Sequence, residues 1–177
     1  MIEIISIDEN LDHILQKAKG NLFLKQYVFL PSTDGRTSFD INYRNAHIVT
    51  PETEVLVIKK KIKELVKIYA MNILNITNTE FYVEDHQVMW YGIGGGMPNH
   101  SDTYSESGNK DLLRRKITSI LYLNSDFEGG EIEFEQFNLK HKPKQNDLLI
   151  FSSDVLHKVY PITQGDRFSY RIFWGTR

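Results

Sequence analysis

Three residues of this sequence have the types to hold a metal ion together. His100 and Asp102 are two positions apart, and His157 lies further along the chain. If a strand ran through them, its two-residue repeat would put the His100 imidazole and the Asp102 carboxylate on one face. Such a pair suits a borderline metal such as iron(II), with His157 as the candidate third ligand. Two imidazoles and one carboxylate on one side of a metal leave positions open for a substrate and for oxygen. The pair follows a strand-like run over residues 81–91 and the segment Gly94-Gly95-Gly96-Met97-Pro98. That glycine run is not a phosphate loop, because no Lys-Ser/Thr follows it and no helix opens there. Ser101 adjoins His100, but nothing else around it suggests nucleophilic catalysis. His13, His47, His86 and His141 have no partner at ligand spacing and read as surface or core histidines.

A second charged site lies near the end of the chain. In a strand over residues 167–174, Phe168, Tyr170, Ile172 and Trp174 share one face. Arg167, Ser169 and Arg171 share the other, with Phe173 at its far end. The apolar face packs on a supporting layer, and the polar face opens into a cavity. An arginine in a barrel mouth needs an anionic partner, since burying an unpaired charge is prohibitive. A dicarboxylate fits, because guanidinium binds carboxylate as a bidentate fork and a neighbouring hydroxyl adds a third hydrogen bond.

These residues need a scaffold, and the pattern after residue 80 is one of strands and turns. Strands are predicted over 81–93, 116–123, 131–137, 148–152 and 167–174, separated by Gly- and Pro-containing turns. Ile132 and Phe134 alternate with Glu131, Glu133 and Glu135, as in a strand wet on one face. The clearest helix spans about 51–74: Thr50 can cap it, Pro51 suits its first turn, and Glu52 and Glu54 favour its positive end. Leu56, Ile62, Leu65, Val66, Tyr69 and Ile73 form its predicted apolar stripe, and its lysines read as a solvated face. Residues 1–7 read as an edge strand. A short helix over 11–18 follows, with Asp8 as N-cap and Gly20 as stop. Residues 21–49 are irregular, with a turn at 31–36, and are expected to carry part of the substrate surface. Helices followed by many short antiparallel strands imply a mainly β fold with supporting helices around a jelly-roll core. One domain over 1–177 is expected: helical support and a substrate-side segment in 1–80, and the jelly-roll core in 81–177.

Composition narrows the function classes. The chain has 177 residues, 41% hydrophobic and 25% charged, with a formal net charge of -2. That charge argues against a protein that tracks a phosphate backbone, so no nucleic-acid partner is expected. With no cysteine, disulfides and thiolate metal sites are ruled out. No apolar run approaches the ~18 residues of a membrane span, and no secretory signal is legible. A soluble, cytoplasmic protein is the default expectation, with oligomeric state left open.

Taken in order, these pieces resemble the 2-oxoglutarate- and iron(II)-dependent dioxygenases, specifically the prolyl 4-hydroxylase-like group. The match covers about half of the chain. Tyr91-x-x-Gly94 leads to His100-x-Asp102, and Arg115-Lys116-Ile117-Thr118 runs into Leu121-Tyr122-Leu123-Asn124. Gly129-Gly130-Glu131 with Phe134 come next, then Pro143 before Asp147-Leu148-Leu149-Ile150-Phe151. His157 follows, with Pro161, Gly165 and Arg167. The resemblance implies a double-stranded β-helix with His100, Asp102 and His157 as iron ligands. It implies Arg167 as the partner of the distal 2-oxoglutarate carboxylate, with Ser169 beside it. Tyr91 and Tyr122 would line the same pocket, and Thr118, on the strand of Tyr122, ranks below them. The chain departs from the group in three places. Met97 stands where an aromatic is common, the glycine run reads as an unusually flexible rim, and Arg171 is a second arginine on the cavity face.

The resemblance further implies iron(II), 2-oxoglutarate and O2, with ascorbate as a further candidate. The implied reaction is hydroxylation of a prolyl residue in a peptide or protein, with release of succinate and CO2. A free amino acid or other small molecule is the alternative substrate. From a different class, the alternative is a non-catalytic jelly-roll binding module.

Overall fold

The computed structural model describes residues 1–23, 28–29, 47–77, 80–103 and 114–176. The turn expected at 31–36 and most of the 21–49 segment lie outside the described residues. The strands, in chain order, are β1 (Ile2–Ser6), β2 (Val28–Phe29), β3 (His47–Ile48), β4 (Phe81–Tyr91), β5 (Met97–His100) and β6 (Arg115–Tyr122). They continue with β7 (Phe127–Gly129), β8 (Ile132–Phe134), β9 (Leu139–His141), β10 (Asp147–Ser152), β11 (His157–Val159), β12 (Ile162–Gly165) and β13 (Arg167–Thr176). Two helices, α1 (Asp12–Phe23) and α2 (Leu56–Leu74), accompany them among the described residues. The architecture is a jelly roll. A seven-stranded sheet runs β1-β10-β6-β13-β4-β3-β2, a four-stranded sheet runs β5-β11-β8-β9, and β12 pairs with β7.

The large sheet has two different faces because its central strands alternate. On β13, Phe168, Tyr170, Ile172 and Trp174 join α1 and α2 in the main core. Ile117 and Leu121 of β6 and Leu148 and Ile150 of β10 point the same way. Their in-between neighbours, Ile120, Tyr122, Leu149 and Phe151, face the small sheet and pack with Met97, Ile132, Phe134, Val155 and Val159. Apolar on both sides, β10 reads as an unbroken hydrophobic run from Leu148 to Phe151 rather than an alternation. The small sheet thus closes over one face of the large one, and the helices cover the other.

Helix α2 differs from expectation at its start and in its stripe. Thr50 does not cap it: the Thr50 Oγ1 accepts the Val88 N–H at 2.8 Å and ties the incoming chain to β4. Residues 52–55 form a turn instead, and the helix begins at Leu56 without a side-chain cap. The buried stripe is Val55, Ile58, Ile62, Val66, Tyr69 and Ala70, with Leu65 and Ile73 partly buried against it, while Leu56 is 47% exposed. The helix ends at Asn75, which takes the left-handed conformation (φ 54°), with the Ile76 N–H closing on the Ala70 carbonyl at 3.0 Å. This is the usual chemistry of a helix stop. In α1, Asn10 rather than Asp8 accepts the first amide, that of Asp12, at 3.0 Å. Gly20 lies inside α1 rather than ending it. Strand β1 is at the edge of the large sheet, as expected. No helix among the described residues is long and apolar enough to cross a membrane.

The stripe assignment is testable. Ile62→Ala should cost about 2–5 kcal/mol, the usual cost of truncating a buried aliphatic side chain. Leu56→Ala should stay within about 0.5 kcal/mol. Urea unfolding midpoints of the two variants provide the check, and equal losses would return Leu56 to the core.

Candidate metal centre and its cavity

His100 ends β5, and His157 opens β11, its hydrogen-bonded neighbour; the register pairs the two residues directly. Their rings lie 4.2 Å apart, centroid to centroid. Asp102 does not sit on the extended strand that would give it a common face with His100. The strand ends at His100, and Asp102 occupies a turn beyond it. What brings it to the histidines is the large sheet and the turn after β10: its N–H donates to the carbonyl of Ser153 in that turn at 2.9 Å. Thr118 Oγ1 of β6 donates to its Oδ2 at 2.7 Å. Asp102 Oδ1 is then 3.7 Å from His100 Nε2, and Oδ2 is 3.9 Å from His157 Nε2. One ligand atom from each of the three residues can be chosen so that all lie within 4.8 Å of one another.

The proton positions follow from the partners. His100 Nδ1 lies 2.8 Å from the Pro98 carbonyl, and His157 Nδ1 lies 3.0 Å from the Val155 carbonyl. A carbonyl oxygen only accepts, so in the neutral rings each Nδ1 carries the hydrogen and each Nε2 the lone pair. That arrangement, with the second ring nitrogen anchored to a carbonyl, is the one metal-binding histidines use. His157 is further boxed by Phe134 and Phe151, with ring centroids at 5.7 and 5.0 Å. Burial pushes the Asp102 carboxyl upward. The His157 and His100 imidazoles, the Arg171 guanidinium and the Thr118 hydrogen bond together outweigh it and hold the carboxyl below its ordinary range. The donor set therefore fits a divalent metal: two imidazole nitrogens and an ionised carboxylate, within 4.8 Å of one another.

Behind the triad runs a cavity lined by Tyr91, Tyr122, Arg167, Ser169 and Arg171, along with the three candidate ligands. Arg167 is only 3% exposed. Its Nη1 donates to the Gly130 carbonyl at 3.0 Å, and its guanidinium lies 4.2 Å over the Tyr91 ring. It has no carboxylate partner among the described residues, so a structural ion pair does not account for it. Arg167 Nε and the Tyr122 hydroxyl are buried polar atoms with no hydrogen-bond partner among the described residues. Burial, partly offset by Arg167, raises the Tyr122 phenol to about 12, so it stays protonated and able to donate. Buried donors converging on one spot fit a carboxylate. Ser169 joins them on the same face, opposite Tyr122 in register. Tyr91 stacks beneath the guanidinium, so its ring rather than its hydroxyl makes the visible contact.

Several supporting residues were not legible beforehand. Thr118, considered for the cosubstrate pocket, instead orients Asp102. Its one hydroxyl hydrogen goes to the carboxylate, so Ser153 Oγ, 2.9 Å away, must be the donor to Thr118. Asn124 accepts the Phe168 N–H at 2.8 Å and donates to the Asp166 carbonyl at 2.7 Å, fixing the entry of β13. Gly129 has φ 74°, and a Cβ there would stand 2.2 Å from the Pro161 carbonyl oxygen; only glycine fits, and the turn it allows presents the Gly130 carbonyl to Arg167. The one advance signal for these residues was their place in the ordered motifs. The glycine run before β5, expected as a flexible rim, is pinned. The Gly94 N–H donates to the Ile162 carbonyl at 2.8 Å, and the Ile162 N–H donates to the Gly95 carbonyl at 2.9 Å.

The comparisons with known proteins agree with this geometry. The family model for the 2OG-Fe(II) oxygenase superfamily matches residues 86–175. A PKHD-type hydroxylase of Pseudomonas fluorescens is 32% identical over 90 residues, 48% of this chain and 39% of that protein. The aligned part is thus well under half the length of that bacterial relative. A protein of Acanthamoeba polyphaga mimivirus with a provisional prolyl 4-hydroxylase name is 28% identical over 181 residues, 93% of this chain and 68% of that protein. Among solved structures, a Trichoplax adhaerens prolyl hydroxylase, in complex with a hypoxia inducible factor peptide fragment, superposes with a TM-score of 0.72. The identity there is 19%, covering 98% of this chain and 83% of that one, a likeness of fold.

Two outcomes are expected from the carboxylate's surroundings. Thr118→Val should weaken Mn(II) or Co(II) binding about tenfold or more, the usual effect of removing an outer hydrogen bond from a ligand. Thr118→Ser should restore most of it; metal titration reads both. For Asp102, a folded pKa below the unfolded one contributes stability that is present above the ordinary carboxyl range and lost as pH falls through the folded value. The metal-free protein should therefore lose stability more steeply below about pH 4 than Asp102→Asn does, as read from urea midpoints across pH.

Proposed function

This chain belongs to the 2OG-Fe(II) oxygenase superfamily, and on that footing we propose that it is an iron(II)- and 2-oxoglutarate-dependent oxygenase that hydroxylates a prolyl residue of a peptide or protein. The observation that carries the oxygenase reading is the pairing of two features in one cavity. At one end, ligand atoms of His100, Asp102 and His157 lie within 4.8 Å of one another. At the other, a buried arginine is surrounded by donors and has no acidic partner among the described residues.

In this reading the Nε2 atoms of His100 and His157 and a carboxylate oxygen of Asp102 hold iron. Thr118 occupies Asp102 Oδ2, which favours Oδ1 as the ligand. Arg167 takes the distal carboxylate of 2-oxoglutarate, and Ser169 and the Tyr122 hydroxyl add hydrogen bonds to it. Tyr91 supports the guanidinium from beneath. Bound together, iron(II) and 2-oxoglutarate supply oxidative decarboxylation to succinate and CO2, coupled to transfer of one oxygen atom from O2 to a substrate C–H bond. The chain's own work is positioning and exclusion of water. Phe134, Phe151, Val155 and Val159 form a dry wall beside His157, in which each polar contact is strengthened by low dielectric. The prolyl assignment is supported by the name of the mimivirus relative and by the peptide held by the Trichoplax adhaerens neighbour.

The deciding experiment loads the protein with iron(II) anaerobically, admits oxygen, and follows succinate from 2-oxoglutarate with and without proline-containing peptides. Peptide-stimulated succinate with a mass gain of one oxygen on the peptide is the expected result. Peptide-independent succinate would move the substrate to a free amino acid or other small molecule. Absence of both succinate and bound iron would leave a non-catalytic jelly-roll module. Arg167→Ala should raise the 2-oxoglutarate requirement about ten- to a hundredfold, the equivalent of losing a charge-assisted hydrogen bond, while iron affinity holds.

A further inference from the structure

The cavity wall given by the large sheet is laid out in rungs across β4, β13 and β6. Arg167 stands beside Tyr91, and Ser169 stands between Met89 and Tyr122. Arg171 stands between Gln87 and Ile120, and Phe173 between Asp85 and Thr118. Thr118 is the residue that holds Asp102. The wall therefore runs from Arg167 at one end to the metal-ligand end at the other, and Arg171 is one rung short of the latter. Four residues of extended strand separate the two arginines by about 13 Å.

Arg171 lines the same cavity as the triad, and its orientation is prepared. Its Nη2 donates to Gln87 Oε1, and Gln87 Nε2 in turn donates to Asp85 Oδ2 at 2.9 Å. The guanidinium also packs 4.3 Å from the Phe173 ring centroid. A guanidinium has five N–H donors in one plane, so the Gln87 bond is compatible with a carboxylate held at the same time. A side chain already braced loses little freedom when it binds. The Arg167 site, with Ser169 and Tyr122, is complete without it, so Arg171 has no part in the binding assigned so far.

We propose that Arg171 is a second carboxylate-binding residue, placed beside the metal ligands and separate from Arg167, an inference that rests on the metal and cosubstrate reading given above. The carboxylate comes either from the oxidised substrate or from the 2-oxo acid end of the cosubstrate. If from the substrate, the substrate class is one with an acid group close to the reacting carbon, such as an amino acid or a peptide with an acidic residue next to proline.

The test uses protein loaded with Mn(II) as a redox-inert stand-in and reads equilibrium binding by calorimetry. One arm titrates 2-oxobutyrate, a 2-oxo acid that lacks the distal carboxylate and so bypasses Arg167. The other, with 2-oxoglutarate present, compares L-proline with L-prolinamide and an Asp-Pro peptide with its Asn-Pro counterpart. Arg171→Gln should weaken 2-oxobutyrate about tenfold, or remove a preference of about tenfold for carboxylate over amide. Arg171→Lys should keep part of either, because it retains charge but not the planar fork. A loss confined to 2-oxobutyrate assigns the residue to the cosubstrate, and a loss confined to the carboxylate probes assigns it to the substrate. If both variants melt like wild type and neither arm changes by more than about twofold, the inference is overturned. Carboxylate probes that bind no better than amides, absence of binding included, together with unchanged 2-oxobutyrate, count the same way. Wild-type protein that takes up neither Mn(II) nor 2-oxoglutarate would bring down the cofactor reading itself, a result distinct from the failure of Arg171 alone.

Discussion

The alternation of β13 is the constraint on which the rest of this molecule depends. Successive side chains of a strand point to opposite faces, so a slip of one residue would exchange the two sets completely. Here one set, Phe168, Tyr170, Ile172 and Trp174, is buried under the helices. The other, Arg167, Ser169 and Arg171, lines the cavity. A slipped register would push two guanidinium groups into an apolar core, where unpaired charge is prohibitively costly. The hydrophobic packing of α1 and α2 thereby sets the register that delivers the arginines. Pairing with β4 on one side and β6 on the other propagates that register to Tyr91, Tyr122 and Thr118.

The candidate metal centre depends on this frame in a second way. Its three candidate ligands come from the small sheet and the turn after β5, but the carboxylate is aimed from β6 of the large sheet and the turn after β10. Thr118 and the Ser153 carbonyl reach across to Asp102, while each imidazole is fixed locally, by a carbonyl two residues before it. The two sheets must therefore be packed before the triad exists. Ser153 donating to Thr118, and Thr118 to the carboxylate, forms a directed pair of hydrogen bonds in a dry setting, where such bonds polarise one another.

Where local reasoning and the structure disagree, a distant partner overrode a nearby one. Thr50 has the chemistry of a helix cap but serves as an acceptor for a strand amide, because β4 passes beside it. The apolar stripe of α2 matches at Ile62, Val66 and Tyr69 but not at its start, since periodicity alone cannot say which of several apolar residues faces the sheet; Ile58 does, and Leu56 does not. The glycine run has little stiffness of its own but is clamped by Ile162 of β12. His100 and Asp102 do share a site, although through a turn rather than a common strand face.

The sequence by itself carried the jelly-roll class, the two faces of β13 and the candidate set His100, Asp102, His157 and Arg167. These are carried by local periodicity and by ordered motifs, both of which are properties of a linear string. The tertiary structure alone decided which oxygen of Asp102 is engaged by Thr118, and that Arg167 lacks a carboxylate partner among the described residues. It also decided that Tyr91 acts as a stacking surface and that Arg171 stands one rung from Thr118, the residue that holds Asp102. Each of these is a distance between residues far apart in the chain, created only when two sheets pack face to face, and no spacing along the sequence encodes it.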